Sequence, residues 1–188
     1  MRFISSALAV FAFALSANAV SSEYQGLSVP VTVCNNRIKT MTKELPVIIE
    51  LLTSFTSADG IDGGLKIYNV ADPIFQLMET ARKECCADVG DITVEDAQSV
   101  VDTVRPVIAQ VVKALDITSQ KKGDFDRLII ATEIAQDMIK GFYSGTKAMA
   151  TCISDAGSAH QPSFIPVIND LVSQIDNAFL NAKKVYGF

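Results

Sequence analysis

The sequence predicts an all-α fold: an up-and-down bundle of about five amphipathic helices, stapled by two disulfides at one end. Three observations carry that expectation. Apolar residues recur at helical spacing in five separate segments, and no segment shows the alternation of a strand. The links between segments are short, which sets consecutive helices antiparallel. Four cysteines, Cys34, Cys85, Cys86 and Cys152, sit near helix ends that this topology brings to the same side.

The fold is expected to begin after an export signal. Met1 and Arg2 form a short basic start, and the apolar run 3–15 is too short to span a bilayer. Ala17-Asn18-Ala19 reads as a small-x-small cleavage site. The expected organisation is residues 1–19 as a cleaved signal peptide, 20–29 as a loose Ser-rich segment and 30–188 as a single helical-bundle domain. A domain of this size buries roughly 70% of the surface its unfolded chain exposes and needs no metal to hold it.

The chain carries 16 Lys and Arg against 21 Asp and Glu, a net charge of −5. Loss of Arg2 with the leader leaves 15 against 21, or −6. That balance argues against nucleic acid and against anionic membranes. No Asn-x-Ser/Thr sequon occurs. The C-terminal Lys-Lys-Val-Tyr-Gly-Phe has neither the hydrophobic tail of a lipid-anchor signal nor a Ser/Thr-rich stalk, so free secretion is expected over wall association.

In an exported protein an even number of cysteines suggests disulfides, here with three pairings. Joining Cys85 to Cys86 would close a strained ring. Cys34 and Cys152 are left to pair with one neighbour each, in either order. The Cys-x-x-Cys spacing of a zinc site is absent.

Helix one is expected from Pro30 to Phe55. Ile38, Met41, Leu45, Ile48, Ile49, Leu52 and Phe55 share one face, Lys39, Lys43 and Glu50 the other, and Pro46 predicts a kink. Ser57–Gly64, with three glycines and two aspartates, reads as a mobile turn. Helix two spans about 65–86, with Pro73 either kinking it or restarting it after Asp72. Helix three opens on Thr93 as cap with Asp96 three residues on, and Ala97, Val101, Val104, Ile108, Val111, Val112 and Leu115 line its apolar face. It ends before the Lys-Lys-Gly-Asp turn at 121–124. Helix four, Phe125–Ile153, is apolar over about half its circumference, which predicts a central position. Its Gly141 and Gly145 fit close helix packing or room for a ligand. Helix five covers about 163–186.

The run from Thr93 to Phe125 resembles the fungal family of hydrophobic surface binding protein A and cell wall galactomannoproteins. The resemblance rests on the mid-helix Pro106, on Leu115, on the basic turn Lys121-Lys122 and on the aromatic Phe125. The pattern is one of residue types, clearest from Thr93 to Cys152 and weaker before Gly64. The resemblance implies a secreted helical bundle that binds lipids or apolar surfaces. Some members of that family enclose a fatty acid between helices, which implies a hollow interior in place of a filled core.

The expected partners are therefore a fatty acid or other lipid, or an apolar solid surface, with a secreted hydrolase as a further partner. The candidate lining is drawn from the inward stripes: Leu45, Ile49 and Leu52 on helix one; Ile74 and Met78 on helix two; Val104, Ile108 and Val111 on helix three; Ala135, Met138 and Phe142 on helix four; Ile168, Leu171 and Ile175 on helix five. Methionine suits a variable apolar ligand because its chain is flexible. No motif identifies a head-group contact; Gln76, Gln136 and Ser144 are the candidates by residue type. Catalysis is not expected. The lone His160 lies in a loop, there is no Gly-x-Ser-x-Gly elbow, no phosphate loop and no dinucleotide fingerprint, and neither a cofactor nor a metal is implied. The alternative reading is a secreted effector or inhibitor acting by protein contact on a host or cell-wall enzyme. A tightly filled core would favour it.

Overall fold

A computed structural model describes residues 26–87 and 90–188; the expected leader and the start of the loose segment lie outside them. The described residues contain no strand. In chain order they form α1 (Val29–Thr42), α2 (Leu45–Ser54), α3 (Gly60–Cys85), α4 (Val94–Gln120), the single-turn α5 (Lys122–Phe125), α6 (Ala131–His160) and α7 (Ile165–Tyr186).

Local chemistry explains most boundaries. The Thr93 hydroxyl accepts the Asp96 backbone N–H at 3.1 Å, and the Asp96 carboxylate accepts the Thr93 N–H at 3.2 Å. This reciprocal capping box starts α4 where the residue pattern predicts. Helix one is not one kinked helix. The chain breaks at Lys43–Glu44, and Pro46 sits in the first turn of α2, where its missing N–H would be unpaired in any case. Pro73 and Pro106 stay inside α3 and α4, both on the exposed flank. The carbonyls they leave free, at Asn69 and Asp102, therefore face water.

The glycine-rich turn is shorter than expected. A Thr56–Asp59 capping box closes a 3-10 turn at Ser57–Asp59, and Gly60, at φ 64°, swings the chain straight into α3. Helix four is displaced rather than absent: Phe125 belongs to α5, and the helix proper runs from Ala131 to His160. The N-terminal segment is held as far out as Ser28, whose N–H donates to Asp96 Oδ1 at 2.9 Å.

With α1 and α2 counted as one rod, five rods form a closed ring in the order α1/α2, α3, α6, α7, α4 and back to α1/α2. Each rod packs on two neighbours. The α1/α2–α3 and α6–α7 interfaces are antiparallel. Gly141 and Gly145 of α6 meet Phe75 and Met78 of α3 in the same sense along both chains, so that pair is parallel. So are α7–α4, where the Tyr186 hydroxyl donates to Thr118 O at 3.0 Å, and α4–α1, where Asn35 Nδ2 donates to Ser99 Oγ at 2.7 Å. The expectation of a central helix four fails for this reason. In a ring no rod is central; the wide apolar arc of α6 faces α3, α7 and the interior at once.

Two disulfides fasten one end. Cys34–Cys85 joins α1 to α3, and Cys86–Cys152 joins the end of α3 to α6, with Cα separations of 4.7 and 5.6 Å. Adjacent cysteines at a helix end point to opposite neighbours, so α3 is stapled on both sides. Beside the staples lies a buried polar clasp. Asp96 is fully buried and its carboxylate accepts the backbone N–H groups of Ser28 and Thr93, while Asn35 and Ser99 pair side by side.

Candidate functional site

The ring encloses an apolar cavity of about 220 Å³, walled by all five rods. Thirteen of the fourteen candidate lining residues reach it: Leu45, Leu52, Ile74, Met78, Val104, Ile108, Val111, Ala135, Met138, Phe142, Ile168, Leu171 and Ile175. Ile49 does not. It lies half-buried on the flank of α2, and Ile48 faces inward in its place. The buried seam keeps its three-four spacing across the break, through Ile38, Met41, Leu45, Ile48, Leu52 and Phe55, and Ile49 falls one position off it.

Among the described residues no charged side chain lines the cavity. Of its threonines, Thr42 and Thr118 return their hydroxyls to the carbonyls of Ile38 and Ala114, at 2.8 Å each. Thr146, the third, has no side-chain hydrogen bond among the described residues. It carries no sequence signal beyond its place between Gly145 and Lys147. Of the three head-group candidates, Gln76 and Ser144 are exposed outside the wall, and Gln136 Nε2 is engaged with Tyr186 O at 2.8 Å.

The two readings of the α6 glycines are resolved by geometry. A Cβ on Gly141 would lie 2.7 Å from Phe75 Cε1, and one on Gly145 would lie 2.2 Å from Met78 Sδ. Both serve the close approach of α3 to α6. The glycine that does leave space is Gly64, which lies on the cavity wall with nothing within 4 Å of its missing side chain.

The cavity reaches the surface at the unstapled end. Ile61 and Leu65 on the first turns of α3, and Ile129 and Ile130 in the link before α6, belong to its wall and are also exposed. None of the four is among the fourteen candidates: Ile61 falls in a segment read as a turn, Leu65 at the expected start of helix two, and Ile130 only on the broad apolar arc of helix four. Toward the staples a second, smaller cavity of about 60 Å³ shares Val100, Val101, Ile153 and Ile168 with the first.

Residues 31–155 match the family profile described as hydrophobic surface binding protein A. The chain belongs to that family. The matched span covers the rods from α1 through most of α6; α7, the fifth wall of this family member, lies beyond it. Two solved structures share the fold. One is the crystal structure of AFMP4P in complex with palmitic acid, at TM-score 0.75 and 17% identity, covering 84% of this chain and 99% of that one. The other is ligand binding domain 1 of the Penicillium marneffei MP1 protein complexed with arachidonic acids, at TM-score 0.73 and 14% identity, covering 85% of this chain and 99% of that one. No curated protein matches the sequence itself.

Proposed function

We propose that this protein binds a fatty acid or similar single-chain lipid inside its helix ring, as a secreted, non-catalytic carrier. The observation that carries this is the apolar cavity walled by all five rods. An engineered cavity of about 150 Å³ in another protein stays dry and takes up benzene, so about 220 Å³ accommodates about nine carbons. At ~0.8 kcal/mol per methylene removed from water, nine carbons supply roughly 7 kcal/mol before the costs of binding. A longer chain extends into the open mouth or parts the rods.

The lining also sets the orientation. A carboxylate brought into this wall would lose its hydration with no cation to replace it. The head group therefore stays at the mouth and the methyl end points toward the staples. Palmitic and arachidonic acids in the two structures that share the fold support this ligand class. Two disulfides favour an oxidising, extracellular compartment, and no helix among the described residues is long and apolar enough to cross a membrane. The effector reading called for a filled core, and the cavity counts against it.

The test is organic extraction of the purified protein with mass spectrometry, followed by titration of delipidated protein with a fluorescent fatty acid. One acyl chain per protein is expected. Ala135→Phe, which places a ring in the cavity, should abolish binding while circular dichroism stays helical. Wild-type protein that neither carries nor takes up a lipid would overturn the proposal.

A further inference from the structure

The mouth of the cavity is rimmed by the largest concentration of exposed aliphatic side chains on the wall. Ile129 is 82% exposed, Ile130 53%, Ile61 46% and Leu65 41%, and all four also line the cavity. The other exposed aliphatics, Val29, Val33, Val47, Val94 and Leu180, touch neither cavity. A continuous apolar surface thus runs from the interior out through the unstapled end. Ile130 adds a second observation. Its φ of 65° lies in the left-handed region, which a β-branched residue rarely adopts. The Thr132 hydroxyl bonded to Asp126, and the Ala131 N–H bonded to Leu128 O, hold the link in that shape. The strained backbone keeps two isoleucines turned toward water.

We propose that this lip is a docking surface for a lipid bilayer of uncharged or zwitterionic head groups, from which the acyl chain passes directly into the cavity. The choice of partner follows from charge. Residues 59–66 and 121–130 carry Asp59, Asp62, Asp124 and Asp126 against Lys66, Lys121, Lys122 and Arg127, which cancel. The net charge of −5 therefore resides elsewhere on the chain. An anionic surface repels such a molecule, and a cationic one would draw its acidic faces rather than this lip. A zwitterionic surface imposes neither cost and rewards burial of the four side chains at the head-group boundary. The inference deepens the lipid-carrier reading and shares its site, but the docking itself is measured without fatty acid.

The experiment is flotation of the whole, delipidated protein with phosphatidylcholine vesicles. Wild-type protein should float, and the double variant Ile129→Glu with Leu65→Glu should partition about tenfold less, while Leu180→Glu, an equally exposed position away from the lip, should float as the wild type does. Doping the vesicles with phosphatidylglycerol should not strengthen partition. Circular dichroism confirms that each variant is folded. Wild-type protein that stays in solution, a double variant that still floats, equal loss in Leu180→Glu, or binding that grows with anionic lipid would each overturn the proposal. Flotation without fatty-acid uptake would sink the carrier reading and leave the docking surface standing; uptake without flotation would do the reverse.

Discussion

The two ends of the ring are built from different interactions. At one end, two disulfides tie α3 to both neighbours, and the buried Asp96 and the Asn35–Ser99 pair lock α4 to α1. At the other, α2, α4 and α5 are held by contacts that water can replace: Lys121 Nζ to Phe55 O at 2.6 Å, the Ser57 N–H to Asp124 at 3.0 Å and Arg127 to the Ser57 hydroxyl at 3.4 Å. Phe55 stacks on Phe125 there, with ring centroids 4.7 Å apart. Tyr186, buried at this end, adds its hydroxyl bond to Thr118 O, so what separates the two ends is covalent closure, which only the stapled end has. The comparison teaches that the covalent staples lie at one end of the cavity and its mouth at the other.

The strongest way to break the contrast is to remove a staple. Cys86→Ala with Cys152→Ala should cost about 2–5 kcal/mol and lower Tm markedly, because the bridge closes a loop with a sequence separation of 66. Differential scanning calorimetry checks it, and a negligible shift would mean the buried clasp alone holds that end. Asp96→Ala should come next, at about 2–3 kcal/mol in a urea titration, because Ser28 and Thr93 both lose their buried acceptor.

The glycines sharpen the comparison along the rods. Gly141→Ala should destabilise by about 1–2 kcal/mol, since overpacking against Phe75 outweighs the gain in helix propensity. Gly64→Ala should instead stabilise by about 0.5–1 kcal/mol, because its Cβ meets only open space. Gly64→Leu should narrow the mouth and slow fatty-acid uptake in stopped-flow fluorescence. At the far end, Ile153→Ala should join the two cavities and shift the preferred chain length by about two carbons, read by competition among saturated acids.

Acid should act at the mouth with the smallest effect. The Thr56 backbone N–H, and then its hydroxyl, hold the Asp59 carboxyl below its ordinary range; hydrogen bonds from Lys122 and Thr132 do the same for Asp126. Groups with depressed folded values add stability above their unfolded pKa and lose it as pH falls through the folded value. Mild acid should leave both carboxylates ionised; only acid that takes the pH below the ordinary aspartate range should raise amide exchange at the α2–α3 turn and the link before α6.

The sequence by itself determined the all-helical class, the inward stripes and the gathering of the four cysteines at one end, because helical period, capping chemistry and cysteine spacing are local properties. Thr93 and Asp96 name their own cap, and the inward turn of the faces that carry thirteen of the candidate residues follows from their spacing. Only the tertiary structure decided that the rods close into a ring instead of packing around a central helix, and that Cys34 takes Cys85. The mouth belongs to the same class. Ile61, Leu65, Ile129 and Ile130 lie about 65 residues apart in two segments, and no local pattern records that a closed ring brings them to one rim. Periodicity shows which face of a helix turns inward. Whether that face meets another helix or an empty space depends on all five rods together.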